Sequence, residues 1–278
     1  MCKYIKKLLN LNTMADTNPI NKAIDEVTKL APKVYDDLVQ PSSQIIGETA
    51  GRTVKALLAP VRGMLWGWER IEDVVTKGVE ERLKNVPEEN RKAPEPEIAV
   101  PVMQALTYTA QNETLREMYL NLLANAMDIG FDKVVHPSFV EIIKQMNSLD
   151  AKVFEKLSQS NGYNLMVNPK IGIKDTNKYY AQATPKWFVG WTIDEYTIFD
   201  ISTCIVRLSK FGLVDLLLDK KIYNQDSGDL KNHSILMDIL NTFQSRNPSE
   251  VLELRTPDGV YYINEYGKQF KSACLSSQ

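Results

Sequence analysis

Histidine and cysteine are scarce in this chain: two histidines, His136 and His233, and three cysteines, Cys2, Cys204 and Cys274, in 278 residues. A zinc site of the usual kinds needs three or four Cys, His or carboxylate ligands, typically with one close pair. The five residues are scattered, so neither a metal nor a cofactor is expected. An odd, widely spaced set of cysteines is also a poor disulfide framework, which makes a reducing cytoplasm the expected compartment. No apolar run approaches the ~20 residues that span a bilayer. Any membrane contact would therefore be peripheral. An excess of one charge is missing too: 33 Lys and Arg against 35 Asp and Glu give a net charge of -2. No global field draws the chain to nucleic acid or to an anionic membrane.

Recognisable catalytic motifs are equally absent. There is no G-x-S-x-G elbow and no Gly-rich loop ending in Lys-Ser/Thr. Gly47-Glu48-Thr49-Ala50-Gly51-Arg52 has two glycines of such a loop but not the third, and no strand precedes it. The basic start around Lys3, Lys6 and Lys7 lacks the long apolar run and small-residue cleavage site of a signal peptide. Met14-Ala15-Asp16 reads as an ordinary translation start, with residues 1–13 as an upstream extension in the alternative.

What is present is an ordinary globular composition, 44% hydrophobic and 24% charged, well outside the disordered range. Residues 18–39 place Ile20, Ala23, Ile24, Val27, Leu30, Val34 and Leu38 at helical spacing, interrupted at Pro32. From Ile46 a longer stripe runs through Ala50, Val54, Leu57, Val61, Leu65, Trp68, Ile71, Val75 and Val79. It predicts one long amphipathic helix or two meeting near Pro60. After a Pro/Glu-rich linker, residues 98–128 predict two helices separated at Asn112-Glu113-Thr114. A further helix begins near Pro137 and another covers about 150–158. Residues 160–190 lack periodicity and predict loops or short strands.

The C-terminal third has a different grammar. Thr192-Ile193-Asp194-Glu195 is a capping-box sequence before Ile198, Ile201, Ile205 and Leu208, with Gly212 placed to stop the helix. LVDLLL then reads as a strand. VLELR and VYYIN flank Thr256-Pro257-Asp258-Gly259, a hairpin signal, and EYGKQFKSACL closes the chain as a helix. The predicted fold is mostly α: an N-terminal helical bundle followed by a winged-helix-like α+β module. Four parts are expected: a helical extension over 1–40, a helical domain over 41–160, an irregular connector over 161–189, and a winged-helix-like domain over 190–278 with an inserted loop at 224–250.

LLAPVRGMLWGWERI (57–71), LREMYLNLLANAMD (115–128), VHPSFVEIIKQM (135–146) and YYINEYGKQFKSACL (261–275) resemble the bacterial abortive-infection alpha family. The resemblance spans about residues 40–275, and the 224–250 insertion stands apart from it. It implies a role in defence against bacteriophage, in which an infected cell stops growing or dies before phage progeny mature. It brings no catalytic residues with it.

Three kinds of function are open on the residues themselves. His136 is a candidate general base because histidine is the side chain suited to proton transfer near neutral pH, but a lone histidine at a helix entry is more often structural. Cys204 and Cys274 lie on apolar helix faces and read as small hydrophobes. For nucleic acid, the expected recognition helix offers only Arg207 and Lys210, beside Asp200. Residues 190–278 carry nine basic and twelve acidic side chains, a net of -3, so sequence-specific DNA binding is not expected. For a membrane or partner surface, Thr49 to Trp68 contains no acid. Arg52, Lys55, Arg62, Trp66 and Trp68 form the candidate interaction surface, because cations meet lipid phosphates while indoles sit at headgroup level. The same stripe serves equally as a core face. The favoured expectation is a non-enzymatic defence protein that contacts an unknown protein partner. A winged-helix DNA-binding regulator and a peripheral membrane effector are the alternatives.

Overall fold

The computed structural model describes residues 53–62, 68–160, 162–180 and 183–275. All lie in the second of the two units, Met1–Gly51 and Arg52–Gln278, into which the chain divides. The helix expected over 18–39, the two glycines of the 47–52 stretch and residues 1–13 lie outside the described residues.

The apolar stripe of the first described segment turns inward. Helix α1 (Val54–Arg62) contains Pro60. A 3-10 turn, Trp68–Arg70, leads into α2 (Glu72–Leu83). Val54, Leu58, Val61, Trp68, Ile71, Val75, Val79 and Leu83 are all buried, as steps of three and four along one helix face dictate. Helices α3 (Pro96–Thr109), α4 (Glu113–Ala126), α5 (Ser138–Gln145) and α6 (Ser148–Leu157) follow. Asn112 caps α4 by accepting from Leu115 N, and Asn147 with Asp150 forms a capping box at α6.

Helix α4 is the axle. Every residue from Met118 to Ala126 is buried, the pattern of a helix apolar nearly all round and enclosed by neighbours. Those neighbours are α2, α3, α5, α6 and the last helix, α10 (Glu265–Cys274). Two of its buried residues are polar, and both have partners. Asn121 donates to Cys274 O and Asn125 to Ala273 O, each at 2.9 Å, so they satisfy carbonyls that the end of α10 leaves without intrahelical donors. Arg82 of α2 donates to the Asn121 side-chain oxygen and pairs with Glu117. One polar chain thus ties α2, α4 and α10 inside an otherwise apolar core.

The irregular connector contains strands. β1 (Asn164–Val167), β2 (Lys170–Ile173) and β3 (Tyr179–Tyr180) precede α7 (Ile198–Lys210). After α7 come β4 (Val214–Leu218), the short α8 (Gly228–Lys231), α9 (Ser234–Arg246), β5 (Leu252–Arg255) and β6 (Asp258–Ile263). They form two antiparallel sheets, ordered β1-β6-β4 and β3-β2-β5. The fold is therefore mixed α/β, helical around α4 with two small sheets.

Two expectations for this part are corrected. β5 and β6 do not pair as a hairpin: β5 pairs with β2, and β6 lies between β1 and β4. Asn164 faces Tyr261, Val167 faces Asp258, Lys170 faces Arg255 and Ile173 faces Leu252. The register is the same throughout, so β1–β2 and β5–β6 are two arms of one ribbon. The ribbon breaks where Pro169 and Pro257 remove backbone donors, with Asn168 N still bonding Pro257 O at 2.9 Å. Thr256-Pro257 is that corner, and Asp258-Gly259 already belong to β6. The second correction concerns 224–250, which is not a loop. It supplies α8 and α9, and α9 covers the second sheet through Leu236, Ile239, Leu240 and Phe243.

Helix α7 also begins later than expected. Its capping box is Thr197 with Asp200; Asp194 instead sits at φ 49°, a left-handed turn residue before the helix. The sequence TIDEYTIFD offers two overlapping boxes, and the inward spacing of Ile198, Ile201 and Ile205 selects the second. Gly212, at φ 75°, ends α7 in a Schellman motif: Leu213 N bonds Leu208 O and Gly212 N bonds Ser209 O. Gly267 in α10 marks the closest approach, since a Cβ there would lie 2.1 Å from Leu213 O. The main apolar cluster runs through α1 to α7, α10 and the inner face of the first sheet. Two satellite clusters sit under α9.

Candidate functional site

Of the five residues of the expected interaction surface, the described ones differ in exposure: Lys55 and Arg62 are exposed and Trp68 is buried. Arg52 and Trp66 lie outside the described residues. Lys55 and Arg62 project from α1 into solvent with Ala56 and Ala59 between them, and Arg62 lies 3.6 Å from Glu72. Trp68 is only 4% exposed and belongs to the main core. Its indole nitrogen has no partner among the described residues. The two described cations are thus at the surface, while the described indole is in the core. No helix among the described residues is long and apolar enough to cross a membrane.

Arg207 is held within the fold. Its Nη2 lies 2.7 Å and its Nε 2.9 Å from Oδ1 of Asp150, whose side chain is 1% exposed. Asp150 also accepts from Asn147 N as part of the α6 cap. The two-pronged Arg–carboxylate geometry is the strongest form of such a pair, and it locks α7 against α6. The bond to Asp150 raises the guanidinium pKa further. Lys210 is exposed at the end of α7.

Cys204 and Cys274 are buried. Burial and, secondarily, Asp150 push the Cys204 thiol up to about 12, and burial raises Cys274 well above its ordinary value. A thiol must ionise to attack or ligate, so neither is poised as a nucleophile. Among the described residues no group of three or more His, Cys, Asp or Glu is arranged to hold a metal.

One polar constellation joins positions far apart in sequence. His136 Nδ1 lies 2.6 Å from Ser138 Oγ and accepts from Ser138 N at 3.1 Å. Ser138 Oγ in turn lies 2.6 Å from the hydroxyl of Tyr266. Tyr266 stands on α10, where its ring packs 5.4 Å from Phe139, while Phe270 meets Phe139 and Phe154 edge-on at 5.3 and 5.4 Å. The aromatic stack positions α10 against α5 and α6 and brings the two hydroxyls together. His136 is exposed; Ser138 and Tyr266 are half-buried. The sequence singled out His136 but not its partners. His136-Pro137-Ser138 carries the local half of the signal, whereas Tyr266, 128 positions away, arrives only by helix packing.

Family comparison matches residues 67–274 to abortive infection alpha. No curated protein and no solved structure gives a match. The matched span runs from the 3-10 turn before α2 to the last residue of α10, and so contains both halves of the His136–Ser138–Tyr266 constellation. The chain belongs to the abortive infection alpha family.

Proposed function

We propose that this protein serves bacterial defence against phage by abortive infection, and that it does so through contacts with a protein partner in the cytoplasm, without a cofactor and without substrate turnover. The observation that supports this choice is the fate of the 54–83 stripe. Val54, Leu58, Val61 and Trp68 are buried, while Lys55 and Arg62 face solvent. A helix lying in a membrane interface needs an exposed apolar face, opposite its cations, to insert among the headgroups. Helix α1 has its apolar face, Val54, Leu58 and Val61, inside the main core. Two cations separated by small alanines suit an acidic protein surface better than a bilayer.

The winged-helix likeness of residues 190–278 enters this reading as a packing module. Helix α7 is followed by β4, and β6 returns antiparallel beside it, but β5 leaves for the other sheet. With Arg207 held by Asp150 and a net charge of -3 over 190–278, α7 is a poor reader of DNA grooves.

The test is the triple variant Arg52→Gln, Lys55→Gln, Arg62→Gln. Glutamine keeps length and helix propensity, and exposed substitutions of this kind change stability by about 0.5 kcal/mol or less. The expected outcome is an unchanged melting temperature together with loss of phage protection in a plaque assay. A folded triple variant that protects fully removes α1 from the mechanism. Sedimentation of wild type, but not the variant, with anionic vesicles would replace the protein partner by a membrane.

A further inference from the structure

We propose that Ser138 is a modification site, a serine made nucleophilic by His136 that accepts a single acyl group from an activated ester. The hydrogen bonds fix the direction of the proton chain. Ser138 N donates to His136 Nδ1, so Nδ1 carries the lone pair and the imidazole proton is on Nε2. The Ser138 hydroxyl, 2.6 Å away, then donates to the same Nδ1 lone pair, in a three-centre bond shared with the amide. Its oxygen accepts from Tyr266, also at 2.6 Å. A serine that donates to a base and has its oxygen held from the other side is the arrangement an activated hydroxyl requires.

Helix capping alone does not account for it. His233, the N-cap of α9, also accepts a backbone N–H two residues on, from Ile235 at 3.3 Å, with no hydroxyl involved; at α5 the N-cap is Pro137 and His136 stands one residue before it. The cap needs a backbone N–H only; Ser138 Oγ and Tyr266 OH are additional. The neighbouring charges pair among themselves, Lys144 with Glu141 and Lys268 with Glu265, which suits a neutral carbonyl rather than a phosphoryl group as the electrophile.

Acylation stops at one event because the activated ester brings its own good leaving group, which the alkyl ester of Ser138 lacks, and the neighbouring amides do not make up for it. Ser138 N bonds the imidazole, Phe139 N bonds His136 O and Val140 N bonds Pro137 O. None is left to stabilise an oxyanion, the contribution on which rapid turnover most depends. In the step, Oγ attacks the carbonyl carbon and its proton passes to His136 Nδ1. The ester C–O bond breaks, and the leaving oxyanion departs as phenolate or takes that proton. The product is an ester of Ser138.

This site goes beyond the contact reading and stands apart from it, because labelling is read on purified protein and defence in infected cells. The full chain is incubated with p-nitrophenyl acetate, and acetylated peptides are quantified by mass spectrometry. Ser234 is the internal control: it is the exposed first residue of α9, next to His233, and among the described residues no hydrogen bond joins its hydroxyl to that ring. Ser138 is expected to acetylate about 100-fold faster than Ser234, the scale of general-base assistance. His136→Asn retains a side-chain acceptor for the cap and is expected to abolish that advantage without lowering the melting temperature. Equal labelling of Ser138 and Ser234 in the wild type, or undiminished labelling in His136→Asn, overturns the proposal.

Discussion

The helices around α4 and the strands beneath α9 are stabilised in different ways. Around α4 one apolar cluster draws on α1 to α6 and α10, and a polar chain, Arg82–Asn121–Cys274, crosses it from helix to helix. Beneath α9 the apolar clusters are small: Val167, Phe188, Ile198 and Leu236 in one, Ile171, Ala183 and Leu252 in the other. Leu236 is the only fully buried residue of α9. The insertion is held at its other end by charge, with Lys231 2.7 Å from Asp258, Lys221 at 3.4 Å, and Ser227 bonded to the same carboxylate. Large cores resist local opening, whereas thin ones open first. The helical region should therefore set global stability, and the α8–α9 cover should open below that limit.

Four measurements test this contrast, in falling order of expected effect. Trp68→Ala removes a large side chain from the edge of the main core and is expected to lower unfolding free energy by about 3–5 kcal/mol. A denaturation midpoint equal to wild type would show that α1 and its turn are not part of the cooperative unit. Leu236→Ala is expected to cost about 2–3 kcal/mol and to act locally. Hydrogen exchange should speed up in α9 and β5 while α4 stays protected; equal acceleration in both would merge the two regions. Asn121→Ala leaves Cys274 O without its donor inside the core. About 1–3 kcal/mol is expected, read by chemical denaturation, and a neutral result would mean the polar chain contributes nothing to α10 docking.

The smallest effect is the dependence on acid. Burial alone would raise the Asp258 pKa, but bonds from Lys231 and Ser227 outweigh it, and the net shift is downward. A carboxylate with a depressed folded pKa contributes stability that is fully present above its unfolded value, about 4. That stability is lost as pH falls through the folded value. Exchange protection in α8 and α9 is expected to weaken below about pH 4 before the helical region responds, and Asp258→Asn should remove that dependence. An α9 that stays as protected as α4 on acidification, or an unaltered acid response in Asp258→Asn, would contradict the charged anchor.

Legibility followed the same division. The described part of the stripe that ends at Val79 and the two helices separated at Asn112 appear where their periodicity indicates, because a helix buries a face repeated every three to four residues, although α1 continues through Pro60 to Arg62 and buries Leu58 rather than Leu57. The hairpin at Thr256-Pro257-Asp258-Gly259 was misleading for a physical reason. Turn residues mark a break in pairing but do not say whether the chain reverses or passes into a second sheet, and here β2 outcompetes β6 as the partner of β5. The insertion at 224–250 hid its helix because the buried face of α9 is short. Of the candidate site, His136 was visible as a titratable residue, but Ser138 and Tyr266 gain meaning only once α10 packs on α5.

The sequence by itself determined the local elements and their caps: the inward stripe of α1 and α2, the stop at Gly212 and the closing helix from Glu265. These depend on neighbours within a turn or two, whose chemistry is written contiguously. Only the tertiary structure decided that Arg207 is held by Asp150, that Trp68 is core rather than surface, that β5 and β6 part company, and that Tyr266 reaches Ser138. Each of those outcomes pairs residues distant along the chain, and such pairs are selected by the packing of whole helices and the register of whole strands, which no short stretch of sequence encodes.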